Sequence, residues 1–488
     1  STPEVISQTL QGTALVSCLP NCPPPLPAVP TGPNVRAALA SQLVTGVNDP
    51  RSFSQTNIPT NFGPDKVHTW SLGLEREISK NTAVEVRYVG NHGEDLFQTI
   101  NANPFITNLF NNFPNLVPAG ETPCPAAQAV VPSATGRINC NEGILRSREN
   151  TGFSNYNALQ SEFRANNLFK QLTIRASYTY QKTLDNVSEI FSTFGGGNSS
   201  FIYQNPTQPN GPGEYSFSGL DVPQQFSLLF TEQLPFFKEQ HGLAGHVLGG
   251  WTVAANYLLA SGQRYTPTQF FSARVSGPNY YDTAFTSTFN SGAESARPFL
   301  GNLSAPATQV GIFMSDACRL FVLGSFSNPG GLGPAGSGTQ ANMCDSSIVS
   351  PTTLISLTDL QKNLAKTTVD PTTFIPTAVT SKQVRVITNA ATAQTVFGTP
   401  FGNMPRNISQ DAVQNIANAS IFKNIKLGEH ANFEFRTTFL NAFNHPNFAS
   451  VDPIIEDAGL HGAFNGFGDV TTTNSTTRRI IFGGKLTF

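Results

Sequence analysis

Residues 69–88 read TWSLGLEREISKNTAVEVRY, and their alternation decides the fold class. Trp70, Leu72 and Leu74 are apolar, while Thr69, Ser71, Gly73, Glu75 and Glu77 between them are polar or small. After Ser79-Lys80-Asn81 the alternation restarts, with Val84, Val86 and Tyr88 against Glu85 and Arg87. A period of two means a strand with one apolar and one polar face. Pairing Ile78 with Thr82 sets Leu74 opposite Val86 and Leu72 opposite Tyr88. The apolar faces of both strands then coincide, which specifies a hairpin with a tight turn.

The same unit recurs along the chain. Leu159 and Phe163 alternate with Gln160, Glu162 and Arg164; Leu172, Ile174, Ala176, Tyr178 and Tyr180 follow after a short break. A third pair runs through Phe226, Leu228 and Phe230, then Trp251, Val253, Ala255, Tyr257 and Leu259. A fourth has Ala417, Ala419 and Ile421, then Phe433, Phe435 and Phe439. Ile480, Phe482, Gly484, Leu486 and Phe488 form a last strand. This predicts nine strands of about 9–12 residues, the length that crosses a bilayer when tilted. If Val384–Ile387 belongs to an extra spanning pair rather than a loop strand, the count is eleven. Connections within hairpins are short, whereas 91–153, 183–223, 263–413 and 443–476 are long. Outer-membrane barrels have this asymmetry, with short periplasmic turns and long extracellular loops. The fold expected is therefore an all-β, antiparallel transmembrane β-barrel, partial at nine to eleven strands. Residues 1–66 read as an extracellular loop segment, and 67–488 as barrel carrying the long loop 263–413. Asn34–Val44 and Thr352–Lys366 read as short loop helices.

Composition narrows the function. Among 488 residues the charged fraction is 12%, and 29 Lys+Arg against 31 Asp+Glu leave a net charge of −2. That near-balance offers no basic face for nucleic acid. No apolar run approaches the ~18 residues of a membrane helix, and a β-barrel needs none. The six cysteines fall into local pairs, Cys18/Cys22, Cys124/Cys140 and Cys318/Cys344, in loop-like stretches. Their spacing matches no compact zinc cluster, so loop disulfides on the extracellular side are expected, with free thiols the alternative. The seven histidines show no metal spacing. Gly331-Leu-Gly-Pro-Ala-Gly336 matches a dinucleotide fingerprint only in letters, because it lacks a flanking strand and helix and contains Pro334. No catalytic site, metal or cofactor is expected, and the chain is not read as an enzyme.

By parity Glu75, Glu77, Glu85, Arg87, Glu162, Arg164, Arg175, Glu434, Arg436, Arg479 and Lys485 share the polar face, which in a barrel is the lumen. The mixed signs suggest a cross-strand charge ladder. It is read either as a docking surface for a plug or as plain luminal solvation with internal ion pairs. In the loop 263–413, Phe270, Phe271, Tyr280 and Tyr281 are candidates for stacking on sugar rings or gripping apolar peptide groups; loop packing is the alternative.

The ordered motifs resemble the C-terminal barrel of TonB-dependent outer-membrane receptors. The resemblance is nearest to the Oar-like group with a carboxypeptidase-regulatory-type N-terminal domain, common in acidobacteria. It is carried by Trp70–Ile78, Glu85–Gly93 (EVRYVGNHG), Ser154–Gln160 (SNYNALQ), Ala176–Asp185 (ASYTYQKTLD), Leu248-Gly-Gly-Trp251 with Ala260-Ser-Gly-Gln263, Phe439–Phe448 (FLNAFNHPNF) and the terminal FGGKLTF. The terminal pattern of Gly483, Leu486 and Phe488 resembles the signal read by the barrel-assembly machinery. The resemblance implies an intact receptor of 22 strands that imports a glycan, peptide or similar substrate. It implies as partners outer-membrane lipid, an N-terminal plug and barrel strands absent from this sequence, and the TonB complex reached through that part. This chain is then expected to be a C-terminal piece of a larger barrel. A surface adhesion or export-assisting protein is the alternative.

Overall fold

A computed structural model describes residues 51, 55–143, 145–188, 204–205, 207–269, 297–322, 342–370, 373–428, 431–460, 466–473 and 477–488. Nine long strands make one antiparallel meander. They are β1 (Lys66–Ser79), β2 (Thr82–Asn101), β3 (Leu145–Leu168), β4 (Leu172–Asp185), β5 (Gln224–Gln233), β6 (Trp251–Ala260), β7 (Gln414–Leu427), β8 (Ala431–Leu440) and β9 (Arg479–Thr487). Each pairs with its neighbours in sequence, so every connection is a hairpin. Among the described residues β1 and β9 have no further strand partner, and both are exposed along their whole length.

The register carries one apolar face across all nine strands. Leu72 faces Tyr88, Tyr88 faces Leu159, and Leu159 faces Tyr180. Tyr178 faces Phe226, Phe226 faces Leu259, Tyr257 faces Ala417, and Phe439 lies between Ala419 and Ile480. These side chains are not a core. Leu72 and Leu74 are 73% and 77% exposed, and Tyr88, Leu159, Tyr180 and Phe482 are exposed too. A continuous apolar sheet face turned outward is the lipid surface of a barrel wall. Trp70, Tyr88, Tyr178 and Phe488 are exposed on it, and Trp251 and Tyr257 are half-buried.

Several sequence expectations need correction. Ile78 does not pair with Thr82: Ser79 does, with a bulge between Glu77 and Ser79. A bulge adds one residue without moving the rest, so Leu74–Val86 and Leu72–Tyr88 keep their pairing. The stretch 91–153 is not all loop, because strand continues to Asn101 and resumes at Leu145. β2 is 20 residues and β3 is 24, about twice the crossing length, so this hairpin continues beyond the bilayer. In water the strands need no apolar stripe, and Gly90, His92 and Gly93 hide the continuation. Val386–Ile387 is a two-residue loop strand beside Phe299–Leu300 and Val310–Phe313, not part of a spanning pair. Within 352–366 the chain is strand at Leu354–Ser356 and helix only at Leu357–Leu364, with Ser356 accepting from the Asp359 amide as N-cap. Cys18, Cys22, Asn34–Val44 and Gly331–Gly336 lie outside the described residues. Among the described residues no helix is long and apolar enough to cross a membrane.

The long connections fold together above the wall. Strands Phe299–Leu300, Val310–Phe313, Leu354–Ser356 and Val386–Ile387 form a small mixed sheet. Helices Met314–Val322, Leu357–Leu364 and Ala391–Phe397 pack on it. Its core includes Val310, Ile312, Met314, Ile355, Leu357, Leu360 and Val386, together with Ile455, Ala458 and Phe467 from the β8–β9 connection. Disulfide Cys318–Cys344 ties the first helix to the turn Asn342–Cys344. In the β2–β3 connection, Cys124–Cys140 closes a loop with a sequence separation of 16. Chain entropy for such a loop is worth about 3 kcal/mol. Replacing both Cys124 and Cys140 by Ser should therefore open 102–144 to protease in the oxidised protein. Unchanged cleavage rates would mean the bridge contributes nothing there.

Candidate functional site

The polar face of the wall holds a charge cluster. Register puts Glu75, Glu85 and Glu162 side by side on β1, β2 and β3. Three adjacent carboxylates repel, and arginines answer them. Arg87 pairs with Glu85, and Arg164 pairs with Glu75 and lies 3.3 Å from Glu162. Arg175 grips Glu162 through two bonds of 3.0 and 2.9 Å. The two-pronged geometry suits guanidinium on carboxylate. Glu434 and Arg436 pair on β8 at 3.2 Å, on the same face but four strands from β4. The structure thus joins six of the eleven ladder residues into one network and leaves Glu434 and Arg436 as a second. An open cavity of about 350 Å³ lies over the first, lined by Glu85, Arg87, Glu162, Arg164, Arg175 and their polar neighbours. Most of these side chains are partly exposed, so each pair contributes little stability. Their effect is to line the lumen with alternating sign.

A second site lies in the extracellular assembly, and sequence reasoning missed what builds it. Arg297 and Arg406 are the largest fully buried side chains among the described residues. Arg406 binds the Asp185 carboxylate at 2.6 Å and also donates to the Asn186 carbonyl and the Ser188 hydroxyl. Arg297 pairs with buried Glu214 and donates to the Gly213 carbonyl at 3.0 Å. Arg264 pairs with Asp221. All three arginines belong to the β6–β7 connection, and all three carboxylates lie between Asp185 and Asp221. Buried ion pairs thus clamp the longest loop onto the β4–β5 loop. The sequence did hold one signal: Arg406 is the only charge between 386 and 410. A lone arginine in a neutral run points to burial against a partner.

Beside the Arg297–Glu214 pair is an extracellular cavity of about 340 Å³. Gln204, Asn205, Gln208 and Asn403 bring four carboxamides to it, with Phe401, Thr399 and Gly211. The Asn205 Oδ1 accepts from Thr207, and the Asn403 Oδ1 accepts from the Leu300 amide at 2.7 Å. These bonds fix the Asn205 and Asn403 side chains. The Phe401 ring is held from behind by a cluster around Ile106 and Leu109. Glu214 lines the cavity, but Arg297 neutralises it. The site offers paired donors and acceptors, one aromatic ring and no net charge. Phe270, Phe271, Tyr280 and Tyr281 lie outside the described residues. No cluster of three or more metal-binding side chains occurs among the described residues.

At the root of the long loop, strand Arg264–Tyr265 pairs with Ser409–Gln410. Burial there pushes the Tyr265 phenol up to about 12 and the Asp411 carboxyl up to about 6 from 3.8. The Asp411 Oδ1 is buried without a hydrogen-bond partner. A raised carboxyl pKa means that the folded state binds more protons than the unfolded state between these two values. Stability from this group therefore falls as pH rises from about 4 to about 6, and the penalty is complete above that. Asp411→Asn is expected to raise the thermal unfolding temperature at pH 7.5 and to change it little at pH 4. An equal shift at both pH values would rule out carboxylate desolvation as the cause.

A family model described as an outer membrane beta barrel domain matches residues 5–481. The chain belongs to that family. The outer-membrane barrel domain is accordingly an outer-membrane protein, and its exposed apolar face meets lipid. A search of curated protein sequences found no match. Among solved structures, the outer membrane transporter YddB from Escherichia coli is similar at 7% identity and a TM-score of 0.35, over 89% of this chain and 34% of that one. The pyoverdine outer membrane receptor FpvA from Pseudomonas aeruginosa PAO1, bound to pyoverdine, aligns at 8% identity and a TM-score of 0.32, over 90% and 32%. The ferric enterobactin receptor PfeA (mutant G324V) from Pseudomonas aeruginosa gives 8% and 0.32, over 87% and 31%. The barrel domain described here thus spans about a third of the length of these solved chains. Its fold assignment rests on the family match and on the strand register.

Proposed function

We propose that this chain is an arc of the wall of a TonB-dependent outer-membrane receptor of the Oar-like group, importing an uncharged glycan or peptide. The observation that carries this reading is the folded extracellular assembly, clamped by buried ion pairs over a polar luminal face and holding a neutral, carboxamide-lined cavity. Within the loop, Phe270, Phe271, Tyr280 and Tyr281 remain candidate contacts to substrate.

Strand parity supports a larger barrel. With nine antiparallel strands, β1 and β9 run in the same direction, so closure of one onto the other would need a parallel pair. An all-antiparallel barrel needs an odd number of further strands between them, which makes the total even as in bacterial outer-membrane barrels. Unpaired backbone edges in lipid cost several kcal/mol per group, which favours such partners. In this reading the Glu75–Glu85–Glu162 network docks a plug, TonB acts through that plug, and the strand ending at Phe488 is the part read by the barrel-assembly machinery.

The test uses the intact receptor and fluorescent neutral oligosaccharides and peptides. Gln208→Ala with Asn403→Ala removes two hydrogen-bonding groups, each worth about 0.5–1.5 kcal/mol. Capture should weaken by roughly tenfold or more while surface expression stays normal. TonB depletion should stop uptake but leave capture intact. Capture that ignores both substitutions would move the site elsewhere, and uptake without TonB would remove the importer reading.

A further inference from the structure

Three of the four connections on the short-turn rim, 80–81, 169–171 and 428–430, are minimal. The fourth, 234–250, carries the helix Gly242–Leu248. It exposes several large apolar side chains beside the polar Lys238, Glu239, His241 and His246. Leu243 is 85% exposed, Val247 59% and Leu248 52%, with Phe236 and Phe237 also more than half exposed. Leu243 and Val247, four residues apart, share one helix face. Gly245 is the buried residue of the helix.

Contacts place this helix on the lipid side of the wall. Trp251 stands on the apolar face, in line with Val253 and Tyr257, and its indole N–H donates to the Val247 carbonyl at 3.0 Å. Lys423 faces Trp251 in register; its ammonium donates to the Gly249 carbonyl and sits 5.2 Å from the indole ring centre. Gln240 locks the turn to β7: its Nε2 donates to the Asn424 carbonyl at 2.8 Å, and its Oε1 accepts from the Lys426 amide at 3.2 Å. A Cβ at Gly250 would lie 2.2 Å from Gln240 and 2.4 Å from the Asn424 carbonyl, so only glycine allows the approach.

We propose that the turn 234–250 is an interfacial anchor embedded in the periplasmic leaflet, its occupant the boundary between phospholipid headgroups and acyl chains. The apolar stripe is continuous with the lipid face through Trp251. A tryptophan and a lysine are the side chains that mark this depth, the ring in the headgroup region and the ammonium reaching to polar groups. Seven helical residues span only about 10 Å, so the helix lies in the interface rather than crossing it. A plug would sit in the lumen, on the other side of the wall. The anchor fixes the depth of the β5–β6 and β7–β8 ends against the pull of the extracellular assembly.

The test places a nitroxide at Leu243→Cys and, separately, at Val247→Cys, in the full chain assembled in outer-membrane vesicles. Collision with oxygen is compared with collision with a water-soluble nickel chelate, and Lys80→Cys on a minimal turn serves as the aqueous reference. The oxygen-to-nickel ratio at both positions should exceed the reference severalfold. A ratio equal to the reference means the helix faces water and overturns the proposal. An immobilised label that neither reagent reaches means a protein covers the helix, which overturns it equally.

Discussion

Arg406→Met is expected to cost about 3–5 kcal/mol, because it strands the buried Asp185 carboxylate. The same change leaves the Asn186 carbonyl without its guanidinium donor. The extracellular assembly should then open as a unit while the strands stay in the membrane. Protease added outside intact cells would cut 297–410 in the variant and spare it in the parent. Adding Asp185→Leu should recover much of the loss, since replacing both partners of a buried pair by apolar groups is often neutral. Full protection of the single variant would mean that the clamp contributes little. Persistent cleavage in the double variant would assign the loss to Arg406 packing instead of charge.

The second large effect concerns the wall. Leu228 lies mid-strand in β5 on the apolar face, opposite Ala176 and Tyr257, whereas Asn256 in β6 lies on the polar face, opposite Leu229 and Asn418. An arginine at Leu228 must enter hydrocarbon and should cost about 2–4 kcal/mol near the bilayer midplane. The same residue at Asn256 enters the lumen and should change stability by no more than about 0.5 kcal/mol. Denaturant titration of the protein in liposomes reads the difference. Equal costs at both positions would contradict the two-faced wall.

These elements differ in how far the sequence reveals them. Strand faces were legible because membrane crossing forces a strict period of two, and because register in a tight hairpin follows from one apolar stripe meeting another. Leu72–Tyr88 and Leu74–Val86 were read correctly for that reason. The bulge at Ile78 was not legible, since it depends on turn geometry and leaves the pattern above it unchanged. The extension of β2 and β3 was hidden because strands in water need no apolar alternation. The extracellular assembly was harder still. Val310, Ile355, Val386 and Ile455 meet in one core from four separate stretches of chain, and short buried strands carry no period. Two-residue strands such as Val386–Ile387 have too little length to distinguish a loop strand from the end of a spanning one. The carboxamide cavity joins 204–214 to 399–403 across almost two hundred residues, and no local motif announces such a site. The ladder lay between these extremes: parity set its residues on one face, but which arginine meets which glutamate depended on register.

The most direct measurement is a cysteine scan of β5 from Gln225 to Thr231 in assembled membranes. A membrane-impermeant maleimide and a lipid-soluble one are applied to each variant. The two-faced wall predicts alternation along the strand: Gln225, Ser227, Leu229 and Thr231 react with the aqueous reagent, and Phe226, Leu228 and Phe230 only with the lipid-soluble one. Protection of both sets from both reagents, as in the core of a sandwich, or reactivity without a period of two, would contradict a barrel wall.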